Sequence, residues 1–419
     1  MTRSCVGLLC LTIAACDESA QIVQPSPNKQ VNSAAAPDWL RRYVAIGTSV
    51  SMGWMSDGVV AQTQEVAWPV QLTRIAQTNF IIPRIATPGC KAPLAAPVIT
   101  FKRMSGEPAN VSDATAICAP NEPGIVFPTQ NLALPSALTS DALNTTPELQ
   151  AGPLLSRLYS RVLPPGETQV TAMEKLHPTF VSVELGANDI LGIHSGVVIP
   201  GVSFVPFAVW SAQFSQVLDR VGATTQRALV VGLGRDIAKL SSLRRGDELW
   251  ADRAAFLASF HVSVSGDCND NRNLLVVPVL VPTAVATGLG RKAAGLSPYV
   301  LSCAAGSSTT QDRILTTAEA ATVNRQLALM NDHARAQANS RGYAFFDLEI
   351  LYGRPKPRFS AVSLMTSAAP YGTYISLDGL HPSAAGHAIL AEGALRAIND
   401  RYRITLAMTD GAFLSRAAR

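Results

Sequence analysis

The sequence predicts an α/β fold in which helices cover both faces of a mainly parallel sheet. Short segments that are almost continuously apolar recur at wide intervals along the chain. Amphipathic segments of helical period separate them, and the last amphipathic segment follows the last apolar one. Strands that are buried on both faces and alternate with helices are typical of parallel sheets.

The strand candidates are short, apolar and rich in β-branched or aromatic residues. In chain order they are YVAIG (43–47), FIIPRIA (80–86), TFVSVELG (179–186), ALVVGLG (228–234), NLLVVPVL (273–280) and YAFFDL (343–348). The main helix candidates lie at 66–78, 211–228, 316–340 and 383–403.

Two segments break this alternation. Residues 89–147 are rich in Pro, Ala, Asn and Thr, and residues 281–312 are rich in Gly, Ser and Ala. Long irregular segments in a compact domain are usually functional. We therefore expect one large domain over residues 39–405 with two loop insertions at the carboxyl edge of its sheet, followed by a tail at 406–419.

The N-terminus is typical of an export signal. Arg3 precedes an apolar run at 5–15, which is too short for a transmembrane helix of about 20 residues. The sequence TIAAC resembles the bacterial lipoprotein box, in which the Cys becomes the lipidated first residue. This predicts a signal peptide over 1–15, a lipid anchor on Cys16 and a flexible linker over 16–38, with a secreted protein as the alternative.

Composition excludes some function classes. The chain has 419 residues, of which 47% are hydrophobic and 15% charged, so a disordered chain is excluded. The net charge of +4 contains no concentrated basic block, and we therefore expect no nucleic-acid partner.

The cysteines that remain after the signal and the anchor form an even set, which suggests disulfides in an exported protein. Pairing between chain neighbours, Cys90 with Cys118 and Cys268 with Cys303, would close two local loops in the Pro- and Gly-rich stretches. A zinc site is the alternative, but no two of these residues have the close spacing of zinc ligands.

Polar residues stand at the ends of several predicted strands or in loops there. Ser49 follows the first strand and Gly89 the second. The segment GAND, with Asn188, ends the third strand, while Asp378 and His381 precede the closing helix. Open α/β sheets keep their sites at this edge.

These residue types suit acyl transfer. A Ser nucleophile needs a neutral imidazole, and the imidazole needs a carboxylate to fix its tautomer. Ser49, His381 and Asp378 would fill these roles. The backbone N–H groups of Ser49 and Gly89 and the amide of Asn188 would form an oxyanion hole.

With these motifs the chain resembles the SGNH (GDSL-type) hydrolases over residues 43 to 400. The blocks are GTS with Ser49, PG with Gly89, GAND with Asn188 and DGLHP with Asp378 and His381. The resemblance implies a flavodoxin-like three-layer α/β/α sandwich and a Ser-His-Asp esterase or lipase. It departs from the family at Thr48, where Asp is usual.

Several residues have competing interpretations. Ser51 is a rival nucleophile, although it lies a further turn from the strand end. The GLGRDI segment at 232–237 is interpreted as a strand-to-helix turn rather than a dinucleotide loop. His194 is a candidate pocket wall, and Trp54 and Trp68 belong either to the core or to the floor of an acyl pocket.

The expected function is hydrolysis of a small-molecule or lipid ester at the bacterial cell envelope, without metal or organic cofactor, by a protein held at the membrane through Cys16. The alternatives are an O-acetyl esterase or acyltransferase acting on envelope glycans, and a non-catalytic binding lipoprotein in which the same turns are merely structural.

Overall fold

The computed structural model describes residues 37–406, and its strands form three sheets. In chain order the strands are β1 Tyr43–Gly47, β2 Phe180–Glu184, β3 Ala228–Gly232, β4 Leu243–Arg245, β5 Val262–Val264, β6 Leu274–Val276, β7 Tyr299–Leu301, β8 Ile314–Leu315 and β9 Ala344–Asp347. The central sheet has the order β1-β2-β3-β9 and is parallel throughout. Strands β4, β6 and β8 form a small antiparallel sheet, and β5 pairs with β7.

The α-helices are α1 Ser49–Met52, α2 Ala61–Gln64, α3 Trp68–Ile75, α4 Thr139–Asn144, α5 Pro153–Tyr159, α6 Gln169–Lys175, α7 Asn188–Leu191, α8 Phe207–Thr224, α9 Gly246–Ala251, α10 Arg253–Phe260, α11 Val277–Ala293, α12 Thr317–Arg341, α13 Glu349–Tyr352, α14 Ala361–Thr366 and α15 Ala384–Tyr402. The four predicted helices correspond to α3, α8, α12 and α15.

The central sheet explains the apolar strand pattern. Every residue of β1, β2 and β3 is buried. Helices α8 and α12 pack on each other and α12 packs on β3, while α3 and α15 pack on each other and α15 packs on β9. The mixed α/β content and the mainly parallel central sheet agree with the sequence-based prediction.

A further extended segment runs beside β1 on the side away from β2. The Ala45 N–H donates to Gln130 O at 2.9 Å, and the Leu132 N–H donates to Ala45 O at 2.8 Å. The Leu134 N–H then donates to Gly47 O at 3.0 Å. Residues 130–134 therefore extend the sheet by one short parallel segment, although they lie inside the predicted 89–147 loop.

The predicted strand at 80–86 is wrong. Ile85 forms only a single isolated bridge, with Asn121. Pro83 has no N–H to donate to a ladder, and its carbonyl accepts a hydrogen bond from the Gln64 side chain instead. The place beside β1 is taken by residues 130–134.

The predicted strand at 273–280 and the predicted loop at 281–312 need a correction as well. The strand β6 ends at Val276, and α11 begins at Val277 and runs to Ala293. Pro278 lies in the first turn of α11, where its missing N–H costs nothing. Much of the second insertion is therefore helical, with β7 after it.

Two disulfides close the loops that the cysteine pattern predicted. Cys90 pairs with Cys118 across 28 residues, and Cys268 pairs with Cys303 across 35 residues. On the chain-entropy account, each closure stabilises the fold by about 3–4 kcal/mol.

The predicted signal peptide, Cys16, all but the end of the linker, and the tail from 407 onward lie outside the described residues. Within residues 37–406, we find no helix that is both long enough and apolar enough to cross a bilayer.

Candidate active site

The first strand presents Ser49 at the carboxyl edge of the sheet. Strand β1 is fully buried and ends at Gly47. Thr48 is extended, and Ser49 is the first residue of the short helix α1, which ends at Gly53 with φ +87°. Ser49 is 6% exposed. The strand-to-helix turn thus places the Ser49 hydroxyl at a fixed point beyond the end of β1.

The turn before α15 brings a histidine to this hydroxyl. His381 Nε2 lies 2.9 Å from Ser49 Oγ, and His381 Nδ1 lies 2.8 Å from Asp378 Oδ2. Asp378 Oδ1 accepts hydrogen bonds from the backbone N–H groups of Leu380 and His381, both at 2.9 Å. The three-residue spacing from Asp378 to His381 therefore lets one turn hold both side chains.

The charges of this pair stabilise each other. Burial by itself raises the pKa of Asp378, but the charge and hydrogen bonds of His381 outweigh it and lower that pKa to about 2. Burial by itself lowers the pKa of His381, but the Asp378 carboxylate outweighs it and raises that pKa above 6.5. The arrangement favours an imidazolium next to a carboxylate, which is the state that forms when a serine loses its proton.

Glu184 is a buried carboxylate next to Thr48 and Ser51 that the sequence analysis did not select. Its carboxylate accepts hydrogen bonds from the backbone N–H groups of Thr48 (3.0 Å) and Ser51 (3.2 Å). It also accepts the hydroxyls of Thr48 (2.8 Å) and Ser51 (3.0 Å). Burial raises the pKa of Glu184, and these hydrogen bonds only oppose that effect. A lone Glu in the apolar run TFVSVELG was the signal that could have identified it.

This contact also explains why Thr stands at position 48. The Thr48 hydroxyl donates toward both oxygens of Glu184. An aspartate at this position would place a second carboxylate against Glu184, and like charges in a buried site repel. The hydroxyl thus fits its surroundings.

Ser51, the alternative nucleophile in the sequence analysis, uses its hydroxyl in other hydrogen bonds. Ser51 is fully buried, and its hydroxyl donates to Glu184 while accepting the Trp68 indole N–H at 3.2 Å. Trp68 is itself fully buried in the core. The structure brings Ser49, not Ser51, to His381.

The predicted oxyanion donor Gly89 needs a correction. Its N–H donates to Ala86 O at 2.9 Å, so it is already used in a local turn. Gly89 has φ +112°, and a Cβ there would lie 2.3 Å from Val59 O. The glycine is required by this close approach to the backbone. Because 80–86 is no strand, Gly89 does not follow a strand of the sheet.

The turn after the 130–134 segment takes the place beside Ser49 that was predicted for Gly89. Leu134 is hydrogen-bonded to Gly47. Ser136 comes two residues after Leu134, as Ser49 comes two residues after Gly47. Ser136 has φ +59°, and its N–H has no acceptor among residues 37–406. The sequence analysis missed this turn because it lies in a Pro-rich stretch that was interpreted as loop.

The GAND segment holds this turn in position. The Asn188 side-chain amide donates to Ala137 O at 3.0 Å. Asp189 is buried and accepts the Thr139 N–H at 3.0 Å and the Thr139 hydroxyl at 2.8 Å. Burial raises the pKa of Asp189 to about 6, although the Thr139 bonds oppose the rise. Asn188 therefore lies next to the end of the 130–134 segment.

A cavity of about 80 Å³ opens beside Ser49 and His381. By the same measure a water needs about 10–15 Å³, so the cavity has room for a short chain. Its lining is almost entirely apolar. The wall residues include Val50, Ile190, Leu191, Ile193, Leu233, Ile237, Leu240, Leu327, Leu348 and Leu380.

The remaining candidates differ in their relation to this cavity. The 232–237 segment contributes to the cavity wall and is a turn after β3, in which Asp236 accepts the Ala238 N–H at 3.0 Å. Burial, with the charges of Arg313 and His381, lowers the pKa of His194 to about 4. The ring of Trp54 lies 6.5 Å from that of His381. Neither His194 nor Trp54 lines the cavity, whereas Ile193 does.

Comparison with known proteins gives distant structural likenesses. No family profile matches the chain, and no curated protein matches it. It is similar to an acetylxylan esterase from Geobacillus stearothermophilus, with 10% identity, a TM-score of 0.34, and 88% of this chain and 96% of that chain covered. It is also similar to an extracellular lipase from Streptomyces rimosus, with 13% identity, a TM-score of 0.32, and 86% and 98% covered.

Proposed function

We propose that this protein is a serine-dependent carboxylic-ester hydrolase of the SGNH type. The observation that carries the proposal is the continuous hydrogen-bonded series from Ser49 through His381 to Asp378, at 2.9 and 2.8 Å. Nucleophilic catalysis requires a nucleophile, a base and an orienting carboxylate in contact with one another. A turn with a purely structural role has no such requirement. The three-layer sandwich is the arrangement we favour for the helices around the central sheet.

In the proposed reaction, Ser49 Oγ attacks the ester carbonyl while His381 Nε2 takes its proton. His381 then gives that proton to the leaving alcohol, and an acyl ester of Ser49 remains. Water attacks this acyl-enzyme with His381 again as base, which releases the acid and restores Ser49. Asp378 fixes the imidazole tautomer and stabilises the imidazolium in both halves.

The oxyanion needs donors at the same strand ends. The Ser49 N–H, at the start of α1, has no acceptor among the described residues. We assign the second backbone donor to Ser136 in place of Gly89. The third donor is the Asn188 amide, which has two N–H groups and uses only one of them on Ala137 O. Removal of one donor of this kind typically raises the barrier by about 2.7–4 kcal/mol.

The apolar cavity supports a substrate with a short hydrocarbon acyl group. Its wall offers methyl and methylene groups next to the attacked carbonyl, and burial of an acyl methylene there contributes about 0.8 kcal/mol. An acetyl group on a glycan would leave most of this wall unused. Action at the bacterial envelope, through a lipidated Cys16, belongs to the same proposal and rests on the N-terminal sequence.

A panel of nitrophenyl esters from acetate to palmitate tests the proposal on the full-length protein. We expect turnover that is highest for short apolar acyl chains and absent in Ser49→Ala. Turnover confined to acetate esters would favour the O-acetyl esterase. If a folded wild type turns over no ester, the non-catalytic binding lipoprotein would remain as the interpretation.

A further inference from the structure

A strained turn lies against the carboxylate of the Ser-His-Asp series. The Met55 N–H donates to Gly58 O at 2.8 Å, and the Gly58 N–H donates to Met55 O at 3.1 Å. The two central residues, Ser56 and Asp57, have φ of 51° and 56°. Turns with both central residues left-handed favour Asn, Asp or Gly at the first position and Gly at the second. Ser at the first position and Asp at the second are therefore unusual, and backbone strain of this kind clusters at functional positions.

This turn donates directly to the triad carboxylate. The Asp57 N–H lies 2.7 Å from Asp378 Oδ2, the same oxygen that accepts His381 Nδ1 at 2.8 Å. The Ser56 N–H donates to the Ser376 hydroxyl at 2.9 Å, which in turn donates to Asp378 Oδ1 at 3.1 Å. Both carboxylate oxygens of Asp378 are therefore oriented from the 55–58 turn.

A buried arginine from a different segment holds the turn. The Arg103 side chain is 1% exposed. Its Nη1 donates to Asp57 O at 2.9 Å, and its Nη2 donates to Asp57 Oδ2 at 2.6 Å. The same two nitrogens also donate to Ala92 O at 2.9 Å and Ala109 O at 2.6 Å. A buried guanidinium is costly unless it is bonded in this way.

Arg103 belongs to the loop that the Cys90–Cys118 disulfide closes. Lys91, next to Cys90, places its Nζ 3.1 Å from Asp57 Oδ2. The Leu94 N–H donates to Ser56 O at 2.7 Å. One covalently closed loop thus supplies two cations and a backbone donor to the Ser56–Asp57 turn.

We propose that the Ser56–Asp57 turn is a positioning element for Asp378, and that the 90–118 loop holds this turn in place through Arg103. The expected effect on kcat rests on the proposed esterase function. The expected effect on the titration of His381 does not. Arg103 and Asp57 touch neither substrate nor reacting atoms, so they are positioning residues.

Asp57 also adds to the charges that face His381. Asp378, Asp57 and Glu184 are the negative groups that favour its protonated form. Two further histidines near it stay neutral, because burial lowers the pKa of His194 to about 4 and that of His387 to about 3. Asp378 belongs to the Ser-His-Asp series and Glu184 to strand β2, whereas Asp57 belongs to neither.

The first test is an NMR titration of the His381 ring in isotopically labelled full-length protein. Asp57→Asn keeps the backbone N–H and tolerates left-handed φ, so it removes mainly the charge. We expect the His381 titration to move to lower pH. Asp113→Asn is the matched control, because Asp113 pairs with Lys91 at 3.5 Å in the same loop but does not contact the turn. Equal titration curves for the two variants would overturn the role of Asp57.

The second test compares Arg103→Lys with Arg157→Lys. Arg157 also fastens the loop, through Ala116 O at 2.9 Å and Asp113 O at 2.8 Å, but it lies away from the turn. We expect Arg103→Lys to lower kcat by about tenfold to a hundredfold, as small misplacements of catalytic groups do, with KM little changed. Arg157→Lys should keep the wild-type kcat. Equal losses in the two variants, or no loss in a folded Arg103→Lys, would overturn the role of the loop.

These tests separate the two proposals. If wild type hydrolyses no ester, the esterase function fails, and the titration of His381 in Asp57→Asn still decides whether the turn acts on the triad. If wild type is active and both variants match their controls, the positioning role fails alone.

Discussion

His381 Nε2 lies 2.9 Å from Ser49 Oγ, although 332 residues separate the two in the chain. Ser49 follows the first strand of the sheet, and His381 precedes the last helix. The contact therefore depends on the folding of the central parallel sheet, most of which lies between these two residues in the chain. Under the proposed function, loss of either partner removes the nucleophile or its base without removing core packing.

Ser49→Ala and His381→Ala should each lower kcat/KM by about 10⁴-fold or more, because residues of such a series act as a unit. Ser51→Ala should retain turnover but unfold more easily by about 1–3 kcal/mol, because it removes one hydrogen bond to Glu184 and leaves the buried Trp68 indole N–H without an acceptor. Ester assays and denaturant unfolding measure both effects. An organophosphonate should label the peptide that contains Ser49; an inactive but folded Ser51→Ala protein would contradict the assignment.

The rate should depend on the protonation of His381. Its pKa is raised above 6.5 by Asp378, and the base must be neutral to accept the Ser49 proton. We therefore expect kcat/KM to rise with pH through an inflection above 6.5. Asp378, with a pKa of about 2, stays ionised over this range. A rate that is flat from about pH 5 to pH 8 would indicate another base.

Glu184→Gln tests the buried carboxylate by its effect on stability. Its pKa is raised by burial, so the folded state binds this proton more tightly than the unfolded state. Its contribution to stability is therefore present at low pH and is lost as the pH rises through the folded pKa. Wild type should therefore lose stability relative to Glu184→Gln in urea unfolding as the pH rises above the ordinary pKa of a glutamate carboxyl. A constant difference would mean that burial does not shift this group.

Leu240→Trp should shorten the preferred acyl chain, because Leu240 lines the cavity beside Ser49 and an indole fills space that the chain would use. The ratio of kcat/KM for hexanoate to that for acetate esters is the measurement. Leu257→Trp is the control, since Leu257 is 47% exposed and does not line the cavity. An unchanged ratio in Leu240→Trp would place the acyl group elsewhere.

Cys16→Ala tests the membrane anchor. A multiply acylated Cys16 would hold the protein stably, because one chain binds only marginally and two or more anchor it. We expect wild type in the membrane fraction and Cys16→Ala in the soluble fraction or unprocessed, with the same kcat/KM. Wild type that is soluble and begins downstream of Cys16 would end the lipoprotein proposal and leave the esterase proposal intact.

The sequence was informative where local chemistry decides the outcome. The strands β1, β2, β3 and β9 are mostly apolar and alternate with helices, and this pattern was enough to predict them. Asp378 and His381 share one turn, and Ser49 follows a strand end, so short motifs were enough to select them.

The sequence was less informative where distant contacts decide the outcome. The 130–134 segment is recognisable only by its bonds to β1, and the stretch around it looked like loop. Gly89 was assigned to the oxyanion hole because it follows an apolar run, but that run is no strand. Glu184 and Arg103 are charged residues whose role depends on partners far away in the chain.

Part of the cavity wall and the residues Ser49, Asp378 and His381 come from different segments of the chain, which affects how such a protein can diverge. Ile237 and Leu240 line the cavity from the segment after β3, which leads into β4 to β8 and contains none of the triad. Under the proposed function, exchange of that segment between related chains would alter which acyl groups are accepted and would leave Ser49, Asp378 and His381 in place. Substrate range could then change over evolutionary time, or in a laboratory library, without any step through an inactive intermediate.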